Sequence, residues 1–127
     1  MSHLYVLVRR DLSAPQIAVQ AAHAAIEAAR RFLPTDHPHP HLVLCGVAHE
    51  RALLAAADRL ERAGVRFSLF REPDLNDAAT ALATEPLGSD RRRVLARHPC
   101  LTRADLFLAP AARGSGAGVS SEDNPVT

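Results

Sequence analysis

Five polar side chains recur at helical spacing within an alanine-rich stretch near the start of the chain. Projected at about 100° per residue, they fall into one narrow stripe: Gln16, Gln20, His23, Glu27 and Arg30. Amides bind polar ligands without a charge mismatch, and an imidazole titrates near neutral pH and is the usual general base. We therefore expect Gln20 to bind a ligand. His23 has two equally good interpretations, a catalytic base or a helix residue bonded to a backbone carbonyl.

The start of this helix gives Gln16 a second interpretation. Ser13 and Gln16 stand three apart, as a capping box requires, and Pro15 fits the first turn, where its missing N–H costs nothing. From the local pattern alone, the capping interpretation of Gln16 is favoured over a role in a site.

A second group of polar residues follows a predicted strand in the middle of the chain. Residues 71–79 (REPDLNDAA) read as an acid-rich loop, and Thr80 begins a short apolar run. Glu72 is interpreted as a functional carboxylate, with a solvated acid as the alternative. Thr80 fits a catalytic role and a plain strand residue equally well.

The elements that position these residues follow the order β-α-β-α-β-β-α. Apolar runs predict strands at residues 3–9, 41–47, 65–70 and 80–84. Helices are predicted at residues 15–32, 50–63 and 89–97 (the last capped by Ser89), with a final turn or two from Thr102 and Asp105 to before Pro110. This order predicts one α/β domain with its ligand crevice at the carboxyl ends of the strands, where residues 9–20 meet residues 71–79.

The composition indicates one domain, residues 1–112, followed by a disordered tail, residues 113–127. No apolar run approaches the ~20 residues of a membrane span, and we see no secretion signal. Two cysteines, Cys45 and Cys100, are too few for a disulfide framework, which favours a reducing, cytoplasmic location. All 15 basic residues are arginine, so no lysine can act as base or nucleophile.

The arginines are concentrated near the end of the predicted domain. Five of them lie between Asp90 and Arg103: Arg91, Arg92, Arg93, Arg97 and Arg103. The guanidinium fork binds phosphate in two places, so this segment is interpreted either as a phosphate-contacting patch or as a solvated helix face. Aromatic residues make up 4% of the chain, which argues against base stacking, so any binding of nucleic acid would be through its backbone and shape.

Three histidines alternate with proline in the connection before the second strand: His37, His39 and His41. Extended alternation puts their imidazoles on one side of the chain. Metal sites usually draw ligands from separate elements, and no CxxC or HxxxH pattern accompanies these three. We therefore predict no metal site, and interpret the run as able to bind nickel or zinc adventitiously.

The segments Val8–Leu12 (VRRDL) and Ala18–Ala25 (AVQAAHAA) resemble the signature of the type 2 peptidyl-tRNA hydrolases. The segments Phe67–Glu72 and Thr80–Ala83 are similar to that family's third strand with its exit and to its fourth strand. The resemblance covers about residues 4–86, in the family's order and with similar spacing.

The resemblance implies a three-layer domain, a mixed four-stranded sheet with helices on both faces. It also implies hydrolysis of the ester between a nascent peptide and tRNA, with no metal or organic cofactor. The family's catalytic Lys falls on Gln16, its Asp on Glu72 or, if the loop shifts, Asp74, and its Thr on Thr80. The tRNA would be held by the motif residues and the basic helix: Arg9, Arg10, Asp11, Gln20, Arg91, Arg92 and Arg93.

Three hypotheses follow for the function. In the first, the chain is a diverged, bacterial-type hydrolase in which Glu72 or His23 activates a water and Gln16, Gln20 and Thr80 orient the ester. In the second, the loss of the family Lys has left a module that binds tRNA or another ligand without cleaving it. The third is a small protein-interaction subunit without an RNA partner. The sequence leaves open whether the chain forms a homodimer.

Overall fold

The computed structural model describes residues 2–102. Six regular elements form the domain: β1 (His3–Arg9), α1 (Ala14–Phe32), β2 (His41–Val47), α2 (Glu50–Arg62), β3 (Phe67–Glu72) and β4 (Ala78–Thr84). Two short 3-10 turns follow β3 and β4, at Pro73–Leu75 and Arg92–Leu95. No helix of the described part is long and apolar enough to cross a membrane.

The four strands form one mixed sheet in the order β2-β1-β4-β3. Strands β1 and β2 are parallel, with Arg9 opposite Val47 at their carboxyl ends. Strand β4 lies antiparallel between β1 and β3. The carboxyl ends of β1, β2 and β3 therefore meet at one edge of the sheet, which we call the upper edge, and β4 begins there.

The two helices cover opposite faces of the sheet, which makes the domain three-layered. Alternate side chains of β1 belong to two separate apolar clusters. The cluster with α1 contains Leu4, Val6, Val8, Leu12, Ile17, Ala24, Ala28, Ala81 and Ala83. The cluster with α2 contains Leu7, Cys45, Val47, Leu53, Ala56, Ala57, Leu60, Val65, Ala79, Leu82, Leu87 and Leu95. The predicted α/β class and mixed four-stranded sheet are confirmed.

Helix α1 begins where the capping pattern predicts. The Ser13 hydroxyl accepts a hydrogen bond from the backbone N–H of Gln16 at 3.4 Å, and Pro15 lies in the first turn. Ala24 and Ala28 are fully buried against the sheet. Their short side chains let the helix backbone approach the strands, so polar side chains on the same helix reach β3 and β4.

The connection between β3 and β4 is shorter than the predicted loop over residues 71–79. Strand β3 continues to Glu72, and β4 already begins at Ala78. Asn76 and Asp77 both have positive φ, the left-handed conformation that Asn and Asp tolerate well. A tight hairpin results, because the backbone N–H of Asp77 donates to the carbonyl of Glu72 at 3.0 Å.

The basic segment after β4 also differs from its prediction. Instead of a helix over residues 89–97 capped by Ser89, it forms a single 3-10 turn, Arg92–Leu95, which starts after Arg91 without a side-chain cap. Leu95 is buried in the α2 cluster and anchors this turn. The predicted last helical turn from Asp105 and the tail over residues 113–127 lie outside the described residues.

Candidate functional site

The amide of Gln20 is the centre of a hydrogen-bonded network that joins α1 to the β3–β4 hairpin. Its nitrogen donates to Gln16 Oε1 at 2.8 Å and to Glu72 Oε1 at 2.7 Å. Its oxygen accepts from the Thr80 hydroxyl at 2.6 Å. Both N–H groups and the carbonyl of this amide are therefore used, which fixes its orientation. Gln16, Gln20, Glu72 and Thr80 are called the Gln20 network below.

Each member of the Gln20 network is placed by a local feature of its element. Gln16 and Gln20 are four residues apart, so they follow one another along one face of α1. Glu72 ends β3, and its Oε2 accepts from the backbone N–H of Asp74 at 3.3 Å, which caps the 3-10 turn. The side chain of Asp74, the alternative candidate for the family's Asp, is exposed.

A β-bulge places Thr80 in the network. Phe70 pairs with Ala81 and Arg71 with Ala79, so Thr80 is an extra residue in β4. In a regular strand Thr80 and Ala81 would point to opposite faces, but the bulge lets both face α1. The hydroxyl of Thr80 can reach Gln20 for this reason.

The network is closed to solvent, which corrects the expectation that the polar stripe of α1 faces a water-filled crevice. Gln16 is 2% exposed, Gln20 and Thr80 are 0% exposed, and Glu72 is 5% exposed. Burial of these polar side chains is tolerated because their hydrogen bonds to Gln20 replace the hydrogen bonds that they would make to water. The residues predicted for one site do meet, as a packed cluster.

Among the described residues, no cation is bonded to Glu72 or Gln20. Glu72 receives hydrogen bonds from Gln20 and from the backbone of Asp74. Arg9, the nearest predicted cation in the motif, forms a two-pronged ion pair with Asp11, at 2.9 Å for both bonds. Its third contact is to the carbonyl of Ala79 at 3.2 Å.

Ala79 links the network to an open cavity at the upper edge. Its backbone N–H donates to Glu50 Oε2 at 2.8 Å, and its carbonyl accepts from Arg9. A cavity of about 420 Å³ lies next to these contacts, lined by Arg9, Asp11, His49, Glu50 and Arg51. No sequence pattern pointed to His49, Glu50 or Arg51. The only sequence signal for them is their position directly after a predicted parallel strand.

His23 lies near the network but outside it. Its ring stacks on Phe70, with centroids 4.5 Å apart and an angle of 4° between the rings. No hydrogen bond joins His23 to Glu72 or Gln20 in the structure from residue 2 to residue 102. Its role as a base stays a prediction.

The predicted tRNA-contacting arginines are distributed over both edges of the sheet. Arg91 bonds to Glu85 at 3.1 Å and to the carbonyl of Gly64, at the lower edge. Thr80 and Glu85 are five positions apart along β4, which corresponds to about 17 Å. Arg92 and Arg93 belong to the adjoining 3-10 turn, so neither is beside the Gln20 network. Arg10 lines a separate cavity near β2.

His37, His39 and His41 are not joined by further metal-ligating side chains within the described residues. No group of three or more His, Cys, Asp or Glu side chains in this part of the chain is placed to hold a metal ion. His41 lies opposite His3 in the parallel pair of strands, with ring centroids 5.2 Å apart.

Two comparisons with known proteins bear on this chain. A family model described as "Peptidyl-tRNA hydrolase PTH2" matches residues 2–98. A protein named pyridoxine 5′-phosphate synthase, from Chelativorans sp. (strain BNC1), is 54% identical over 43 residues. That second match covers 34% of this chain and 17% of the synthase, so the chain spans a small part of that protein's length.

Proposed function

Because the family model matches well over half of its residues, the chain belongs to the type 2 peptidyl-tRNA hydrolase family, and we propose that it hydrolyses the ester between a peptidyl or N-blocked aminoacyl group and tRNA. The partner is then tRNA, and the place of action is the cytoplasm, where translation occurs. No reaction is carried over from the pyridoxine 5′-phosphate synthase, because the chain matches a minor part of it.

One observation supports this function above the others. The three positions that match the family's catalytic residues, Gln16, Glu72 and Thr80, all bond to Gln20. Glu72 and Thr80 are 52 and 60 residues from Gln20 in the sequence, so folding alone unites them. Polar side chains of a merely structural kind have no reason to converge at the carboxyl edge of the sheet, where α/β proteins bind ligands.

In the proposed reaction Glu72 acts as the general base. Its carboxylate takes a proton from a water whose oxygen attacks the ester carbonyl carbon. The bond from that carbon to the ribose oxygen then breaks, and the proton passes from Glu72 to the ribose oxygen. Gln20 holds the carboxylate in position through its 2.7 Å hydrogen bond, and Thr80 in turn holds the Gln20 amide.

The carbonyl oxygen gains negative charge when the water attacks. A cation at the family's Lys position would stabilise that charge, and this chain has the neutral amide of Gln16 there. An amide donates a hydrogen bond but supplies no net charge, so we expect turnover below that of a site with the lysine.

The direct test is incubation with N-acetylated aminoacyl-tRNA, following release of the acyl-amino acid. We expect release by the natural protein and a loss of roughly 100-fold or more in Glu72→Gln, which keeps the shape but not the basicity. Asp74→Asn is the matched control, an exposed carboxylate two residues away, and should retain full activity. Loss of activity in Asp74→Asn with none in Glu72→Gln would assign the base to Asp74 and refute the role of Glu72.

The neutral amide of Gln16 at the position of the family's lysine favours a second candidate function, a module that binds tRNA without cleaving it. It predicts saturable tRNA binding and no release of the acyl-amino acid, in the natural protein and in both variants. A protein-interaction subunit without an RNA partner would show neither binding nor release.

A further inference from the structure

A basic cavity lies between β2, α2 and the segment that follows the Arg92–Leu95 turn. Its volume is about 310 Å³. Its polar wall is formed by Arg10, Arg59, Arg97 and His98, and none of the described residues that line it is acidic. Gly46, Val47 and Ala48, at the carboxyl end of β2 and just after it, also line the cavity.

The cavity is built by a long-range pairing of the chain. The segment around Cys100 runs antiparallel to the outer edge of β2. The N–H of Gly46 donates to the carbonyl of Pro99 at 3.1 Å, and the N–H of Leu101 donates to that of Leu44 at 2.9 Å. This pairing fixes Arg97 and His98 opposite Arg59, which projects from α2.

Gly46 allows the stem of Arg10 to form part of the same wall. A Cβ added at Gly46 would lie 2.5 Å from Cδ of Arg10 and 2.8 Å from a methyl of Leu101. Any larger residue would displace the Arg10 side chain from the floor of the cavity. Glycine, which has no Cβ, is therefore the residue type at position 46 that lets the Arg10 side chain cross the strand.

The charges around the cavity are not balanced by its own residues. The Nε of Arg59 is buried without a hydrogen-bond partner, and its Nη2 lies 3.3 Å from His98 Nε2. Burial lowers the pKa of Arg59, and nearby Arg97 and Arg62 lower it further, against the opposite effect of Asp58. The pKa of His98 is lowered by burial and then by Arg59 and Arg97. Positive charge is therefore crowded around Arg59, Arg97 and His98.

We propose that this cavity binds a phosphate group, held by Arg59 and Arg97 with His98 beside it. A phosphate offers several acceptor oxygens and negative charge, which suits the unsatisfied Nε of Arg59 and the fork geometry of a guanidinium. The group can be free phosphate or a phosphodiester of a nucleic acid. In the second case the cavity would anchor the backbone of tRNA near the upper edge, and that part alone rests on the proposed function.

The test is titration of the whole protein with inorganic phosphate at constant ionic strength, read from the His98 ring signals in NMR spectra and by calorimetry. We expect saturable binding that raises the His98 pKa, because bound negative charge opposes the effect of the two arginines. In the double variant Arg59→Gln/Arg97→Gln, the affinity for phosphate should fall at least tenfold. The control Arg30→Gln/Arg31→Gln removes the same charge from exposed positions outside the cavity.

Equal phosphate affinity in the two double variants, or no saturable change at His98, would overturn the proposal. Arg97 is exposed, so Arg97→Gln alone repeats the test if the double variant does not fold. A parallel titration with an RNA hairpin distinguishes the occupants: a matching loss of affinity identifies nucleic-acid phosphate, and an unchanged affinity identifies free phosphate. Ester hydrolysis measured on the same variants keeps the two proposals separate, since active protein without phosphate binding refutes only this one.

Discussion

Two glutamates at opposite ends of the β3–β4 hairpin share nearly the same burial but have different partners. Glu72, at the upper edge, is 5% exposed, and Glu85, at the lower edge, is 8% exposed. Glu85 accepts hydrogen bonds from the backbone of Arg66 at 2.9 Å and from the guanidinium groups of Arg66 and Arg91 at 3.1 Å. Glu72 accepts from the Gln20 amide and from one backbone N–H.

The difference separates a carboxylate that is paired with cations from one that is held by neutral groups, the one that the proposed function makes the general base. Burial raises the pKa of Glu85, but the hydrogen bonds from Arg66 and Arg91 outweigh this, and its pKa is lowered overall. Glu85 is thereby kept ionised and ties the start of β3 to the segment after β4. Glu72 is held in place by neutral groups, and no cation is bonded to it among the described residues. The lesson is that the partners of a buried carboxylate, more than its burial, indicate its role.

The largest expected effect comes from removing the structural carboxylate. Glu85→Ala deletes the acceptor for the backbone N–H of Arg66 and two charge-assisted bonds, so we expect a loss of about 1–3 kcal/mol in the free energy of unfolding. Denaturant unfolding measures it, with Glu61→Ala on exposed helix surface as the control, expected within about 0.5 kcal/mol. The comparison fails if Glu72→Gln destabilises the protein more than Glu85→Ala does.

A smaller effect should follow from introducing a cation at Gln16, which bonds to Gln20. Gln16→Lys places a cation where the family has one, and we expect roughly a tenfold gain in ester hydrolysis, about 1.4 kcal/mol in transition-state stabilisation. Gln16→Met is the matched neutral control of similar length and should show no gain. A folded Gln16→Lys protein that binds tRNA but turns over no faster would separate Gln16 from the family's catalytic position.

The smallest expected effect is a loss of stability at acidic pH. Because the pKa of Glu85 is lowered in the folded protein, its contribution to stability is complete above about pH 5 and is lost as the pH falls below about 4. The loss should be smaller than in Glu85→Ala, since a protonated carboxyl keeps its shape and can still accept a hydrogen bond. Unfolding free energies of the natural protein and Glu85→Gln, compared between pH 3 and pH 6, measure it. Parallel curves for the two proteins would contradict the assignment.

Much of the fold follows from local features of the sequence. The first two strands, the cap at Ser13 and the extents of α1 and α2 were predicted closely, because hydrophobic period and capping chemistry are encoded within a few residues. The third and fourth strands were misplaced by about two residues at the hairpin. Polar residues such as Arg71 and Glu72 look like loop in a local window, yet the hydrogen bonds of the sheet continue through this region.

The sequence by itself determined which residue types are available: amides at helical spacing, a carboxylate at the end of β3, a threonine near the start of β4, and arginine as the only strong cation. Tertiary structure decided how they combine. The bulge that turns Thr80 toward Gln20, the closure of the network against water, and the placement of Arg91 at the lower edge all depend on pairing between β3 and β4 and on the docking of α1. These are contacts between residues far apart in the chain. The hydrophobic periodicity of one segment does not indicate where a bulge will form or which distant residue will be its partner.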